Sequence, residues 1–80
     1  MPTMPLNIVD DLGNAYEVSG RKHGPLNSDM ACLGALTEEY HEVIDAIRRG
    51  EAWKVRAELI DVANVCIRRI STIDEEAEHG

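Results

Sequence analysis

Four acidic residues stand at mirrored distances from one glycine: Glu42 and Glu58 lie eight positions either side of Gly50, and Glu39 and Asp61 eleven. In an antiparallel helical hairpin that turns at Gly50, residues equidistant from the turn lie side by side, so Glu42 meets Glu58 and Glu39 meets Asp61. Three residues along a helix advance only about 4.5 Å, which lets all four carboxylates converge on one small volume. Four negative charges there repel strongly at low effective dielectric, so the arrangement makes physical sense with bound cations or with raised pKa values. Cations are the simpler answer. An all-carboxylate donor set without His or Cys selects hard ions, and Mg²⁺, with Mn²⁺ as a substitute, is held by a few such ligands together with waters and phosphate oxygens. A substrate carrying phosphates is implied.

The elements that must position these acids follow from local signals. Ser28 before Asp29 reads as a helix start, because the hydroxyl can accept from a free backbone N–H and the carboxylate suits the positive helix end. Gly50 after Arg48 and Arg49 reads as its stop, and a further helix is predicted from Glu51 to Ile70. On the first of these helices Leu33, Leu36, Tyr40, Ile44 and Ile47 share one stripe, expected to be its core face, while His41, Asp45 and Arg48 face water. Glu39 and Glu42 fall on a third strip between Ala35 and Ala46, with Glu38 turned further toward solvent. The following helix is apolar on two stripes, one of Val55, Leu59, Val62, Cys66 and Ile70 and one of Trp53, Ile60 and Ile67. Its remaining strip carries Lys54, Glu58 and Asp61, with Val65 next along it.

Toward the amino terminus, Ile8, Val9, Leu12 and Tyr16 recur at helical spacing and predict a helix over 6–19. The segment from Gly20 to Asn27, with two glycines and a proline, reads as a loop carrying the basic trio Arg21, Lys22 and His23, the alternative being a longer helix that spans Gly20. The trio is either solvated or, through Lys22, in contact with phosphate. Thr72 with Glu75 suggests a capping box before an acidic tail, so residues 74–80, like 1–5, are expected to be flexible flanks of a single domain spanning 1–80. No repeat and no alternating run suggests a strand, and the fold class is all-α.

Composition narrows the function. With 15 acidic against 8 basic residues the formal charge is -7, which disfavours non-specific binding to nucleic acid or to anionic membrane. No run approaches the roughly 20 apolar residues needed to span a bilayer, and Met1 to Val9 has neither a basic start nor a long apolar stretch, so a cytoplasmic protein is expected. Cys32 and Cys66 stand far apart among apolar neighbours and read as buried reduced thiols. Zinc is excluded, since His23, His41 and His79 add no ligand spacing. A chain of this length buries only about 60% of its unfolded surface, and the many-sided apolar helix demands partner helices, so a homodimer with a four-helix-bundle-type core is expected.

Glu38-Glu39-Tyr40-His41-Glu42, followed after fifteen residues by Glu58-Leu59-Ile60-Asp61, resembles the EExxE…ExxD signature of the MazG-like all-α nucleotide pyrophosphohydrolases. The resemblance covers the two hairpin helices, and residues 22–28 also look like the segment before the motif in small members. It implies Mg²⁺-dependent hydrolysis of a nucleoside triphosphate between its α and β phosphates, and assembly as a homodimer or dimer of dimers. Carried over by position, Glu39, Glu42, Glu58 and Asp61 are the metal ligands, with Glu38 beside them as a supporting residue or as the base that holds the attacking water. Lys54 matches a family position that contacts phosphate, although an i,i+4 salt bridge to Glu58 explains it equally well. Asn64 is either a site residue or a polar edge, and Trp53 belongs to core or interface or stacks on a base. The chain departs from fuller members in leaving little sequence for a fourth helix. Two alternatives stand: a non-catalytic dimerisation or regulatory module of the same fold, and a di-iron carboxylate protein built on Glu38-x-x-His41 and Glu76-x-x-His79.

Overall fold

The hairpin forms where the sequence places it. In the computed structural model, which describes residues 3–79 apart from the side chain of His79, the chain is all-helical: α1 spans Leu6–His23, α2 Asp29–Arg49 and α3 Ala52–His79. Ser28 Oγ accepts from the Ala31 N–H at 3.1 Å, a cap whose loss typically costs about 1 kcal/mol. Gly50 closes α2 in the left-handed conformation, φ 69° and ψ 26°, its N–H donating to the carbonyls of Ala46 and Ile47. That conformation crowds any Cβ against the following carbonyl, which fixes glycine as the turn residue.

Two boundaries differ from expectation. α1 continues through Gly20 to His23, because the stop is Gly24 at φ 70°, whose N–H returns to the Gly20 carbonyl at 3.1 Å. The basic trio is therefore the last turn of a helix, where cations suit the negative end, and not a loop. α3 does not stop at Ile70 but runs on to His79, since no glycine or proline interrupts 51–79. Thr72 opens no new helix; it is buried and donates its hydroxyl to the Leu26 carbonyl.

α3 is the central element, packed by both other helices, which do not pack against each other. Polar pairs set the register with α1, which runs parallel to it: Asp11 with Arg56 at 2.8 Å, Ser19 with Asn64 at 2.7 Å, and the Gly24 carbonyl with Arg68. α2 runs antiparallel. Its first residue, Asp29, is gripped by Arg69 at 2.9 and 3.1 Å, and the same guanidinium donates to the Leu26 carbonyl at 3.2 Å.

The most enclosed positions are as often polar as apolar. On α3, Glu58, Asn64, Arg68 and Thr72 are all buried at helical spacing, and the only apolar side chains equally buried among the described residues are Leu26, Ala46 and Val65. Much of the stripe expected to be the core face of α2 points outward instead, with Leu33, Tyr40 and Ile47 exposed, Tyr40 at 62%, and Leu36 and Ile44 only half-buried. Small residues explain the reversal, because Ala46 and half-buried Ala35 let the α2 backbone approach α3 where bulky leucines would hold it away. Trp53, Leu59 and Ile70 are exposed too, and the thiols are free but not buried, Cys66 being exposed and Cys32 half-buried. The resulting surface, 5985 Å², exceeds the roughly 4,800 Å² usual for a folded monomer of this size. None of the helices is long and apolar enough to cross a membrane.

Candidate metal centre

α2 and α3 bring carboxylates together from both sides of the Gly50 turn. One oxygen each from Glu39, Glu58 and Asp61 lies within 4.8 Å of the others. Glu58 is almost wholly enclosed and Glu39 and Asp61 are half-buried, while Glu42 is more exposed and adjoins the trio through hydrogen-bonding contact with Glu58 and Glu39. Glu39 Oε2 and Glu58 Oε2 are buried without any hydrogen-bond partner. Buried carboxylate oxygens with no donor are costly, so both await a cation or a proton.

Electrostatics give the same picture. Burial, then the charge of Glu42, pushes the Glu39 carboxyl up to about 8. Glu42 is raised by its hydrogen bond with Glu58 and by burial, and Asp61 by burial and the charge of Glu58. Burial would raise Glu58 as well, but hydrogen bonds from Glu42 and Lys54, with the Lys54 charge, bring it below the usual range. Lys54 Nζ sits 3.1 Å from Glu58 Oε1, and that contact raises the lysine in turn. Among the described residues the cluster's one salt bridge is to Lys54, which leaves its other carboxyl groups without a cationic partner. Oxygen donors without sulfur or imidazole suit Mg²⁺ or Mn²⁺, so the residues present fit such an ion.

A cavity of about 460 Å³ borders the cluster where α1 and α2 diverge over α3, and Glu38, Glu39, Asp61, Asn64 and Lys22 all line it. Lys54 stands apart from these, in a smaller cavity of about 320 Å³ on the turn side with Glu42 and Glu58. Trp53, 72% exposed, lines neither. His41 is exposed and packs edge-on to Tyr40 at 5.9 Å, away from the acids, and the His79 side chain lies outside the described residues. Among the described residues the cluster suited to a metal is the carboxylate trio, and the second ExxH motif lies partly outside them.

The MazG nucleotide pyrophosphohydrolase domain, as a family model, matches residues 27–78. The chain belongs to this family. The match takes in α2 and nearly all of α3 and leaves α1 outside it, and no curated protein and no solved structure matches the chain. MazG domains are metal-dependent nucleotide pyrophosphohydrolases, and the acidic cluster lies wholly within the matched segment. Sequence reasoning missed Arg68 and Thr72, which the structure buries on the same strip of α3 as Glu58 and Asp61. The signal was present: extending that strip past Val65 by three and seven residues reaches both.

Proposed function

We propose that the chain is a Mg²⁺-dependent nucleoside triphosphate pyrophosphohydrolase that converts an NTP or dNTP to the monophosphate and pyrophosphate. The observation that carries this reading is the convergence of Glu39, Glu58 and Asp61 with two buried carboxylate oxygens left unpartnered. Glu39, Glu42, Glu58 and Asp61 would hold the ion, and Mn²⁺ would substitute for it. When bound, the ion neutralises phosphate charge and makes the α-phosphorus more electrophilic.

The remaining work falls to the chain. Glu38, exposed at the cavity wall beside Glu39, orients a water and takes its proton as the water oxygen attacks the α-phosphorus. The bond from the α-phosphorus to the bridging oxygen breaks, and pyrophosphate leaves with the electron pair. Lys54 shifts from Glu58 toward phosphate when substrate arrives, which joins its two sequence readings, and Lys22 meets phosphate charge from the end of α1. Association into a homodimer, or a dimer of dimers, would cover the outward apolar groove of about 470 Å³ between α2 and α3, lined by Leu36, Tyr40, Val43, Leu59 and Val62. The cytoplasm, where free thiols such as Cys32 and Cys66 stay reduced, suits this activity.

A panel of nucleoside triphosphates with Mg²⁺, assayed for monophosphate, tests the reading beside Glu42→Gln. Hydrolysis of at least one triphosphate, with loss in the variant, is expected. No pyrophosphate release from any common or modified nucleotide would favour a non-catalytic module of the same fold.

A further inference from the structure

The carboxylate trio stands between two cavities of different character. On the turn side the lining is almost entirely charged, with Lys54 and Arg49 facing Glu42 and Glu58. Beyond the trio, the larger cavity has apolar walls from Val18, Leu26 and Val65, and its volume of about 460 Å³ falls among those of small-molecule sites. Two buried polar side chains line it with one unused atom each. Asn64, 2% exposed, commits Nδ2 to Ser19 Oγ, and its Oδ1 has no donor. Arg68, 7% exposed, commits Nη2 to the Gly24 carbonyl, and its Nε has no acceptor.

Buried polar atoms are seldom left unpaired, so an orphaned acceptor and an orphaned donor in one cavity call for a ligand that supplies both. A fully ionised phosphate supplies only acceptors and leaves Asn64 Oδ1 unanswered. A nucleoside supplies hydroxyl or amino donors, carbonyl or ring-nitrogen acceptors, and a flat apolar face for the valines and leucine. We propose that this cavity is the nucleoside subsite, with Asn64 accepting from a sugar hydroxyl or base amino group and Arg68 donating to the nucleoside, the terminal phosphates lying toward Lys54. The assignment rests on the nucleotide reading above and gives the substrate a direction across the acids. It also makes Arg68, which no sequence motif marks, a specificity-determining residue.

The test is binding, not turnover. The full chain, labelled with ¹⁵N and held in Mg²⁺, is titrated with nucleoside 5′-monophosphates and separately with inorganic pyrophosphate. Monophosphates are expected to move the Asn64 side-chain amide, and pyrophosphate the backbone amides of residues 51–54. Asn64→Leu, which keeps the size and removes the acceptor, weakens monophosphate binding about tenfold, the loss of one buried hydrogen bond, and leaves pyrophosphate binding within about twofold. Analogues lacking the 3′-hydroxyl, or bases lacking an amino group, show which donor Asn64 meets by losing their sensitivity to the substitution. Should Asn64→Leu fail to fold, Arg68→Lys, which keeps the charge and removes Nε, carries the same expectation. Monophosphates that bind at residues 51–54 without moving Asn64, that bind both variants as well as the parent, or that do not bind at millimolar concentration would overturn the subsite. Binding here without hydrolysis of any triphosphate would instead sink the pyrophosphohydrolase reading and leave the subsite standing.

Discussion

Along one side of α3 the chain encloses Glu58, Asn64, Arg68 and Thr72, whereas the other sides of the α2–α3 hairpin present Leu33, Tyr40, Ile47, Leu59 and Ile70 to solvent. Ordinary helical proteins do the reverse, because apolar burial drives folding and buried charge opposes it. Each face is thus incomplete in its own way. The inner one leaves buried carboxylate oxygens unpartnered, and the outer one lacks apolar cover. A family that hydrolyses nucleotides with a metal supplies a reason for the first, and association of copies supplies one for the second.

Substitutions on the two faces should separate function from assembly. Glu39→Gln, on the inner face, is expected to lower kcat/KM about a hundredfold or more, while its thermal midpoint stays level or rises because a carboxyl that the fold disfavours as a charge has gone. Pyrophosphate release and a circular dichroism melt measure the two effects. Leu59→Glu, on the outer face, forfeits burial worth about 1.5–3 kcal/mol per side chain and adds a charge, so sedimentation velocity should show monomers where the parent forms dimers.

The inner face also predicts a pH dependence. Glu39 is held at about 8 against an ordinary 4.5, so the metal-free folded chain keeps a proton that the unfolded chain releases. Stability without metal therefore falls as pH rises from about 4.5 to about 8, and added Mg²⁺ raises the melting midpoint most at the upper end of that window. The smallest effect belongs to neither face. Gly50→Ala strains the left-handed turn by about 1 kcal/mol, which lowers the midpoint by about 4–8 °C in a chain of this size.

Much of the hairpin was readable before any coordinates. Ser28 and Gly50 act through their own side-chain and backbone chemistry, so α2 begins and ends where they stand. Mirror distance from Gly50 brought Glu39, Glu58 and Asp61 into one cluster, with Glu42 at its edge. What could not be read was which stripe faces inward. Periodicity finds Leu33, Leu36, Tyr40, Ile44 and Ile47 as one face but says nothing about what covers it, and a rule that buries the most apolar stripe fails when close approach runs through Ala46. The same blindness hid Arg68 and Thr72, whose partners are the backbone carbonyls of Gly24 and Leu26 in a segment without periodic signal. α1 overran its expected end because Gly20 is tolerated inside a helix that Gly24 terminates.

Calorimetric titration of Mn²⁺ into the metal-free chain at pH 7, in two buffers of different ionisation enthalpy, addresses the inner face most directly. Saturable binding with release of protons from the acidic cluster, abolished in Asp61→Asn, is the expected result. Absence of saturable binding, or equal binding by Asp61→Asn, would contradict the account.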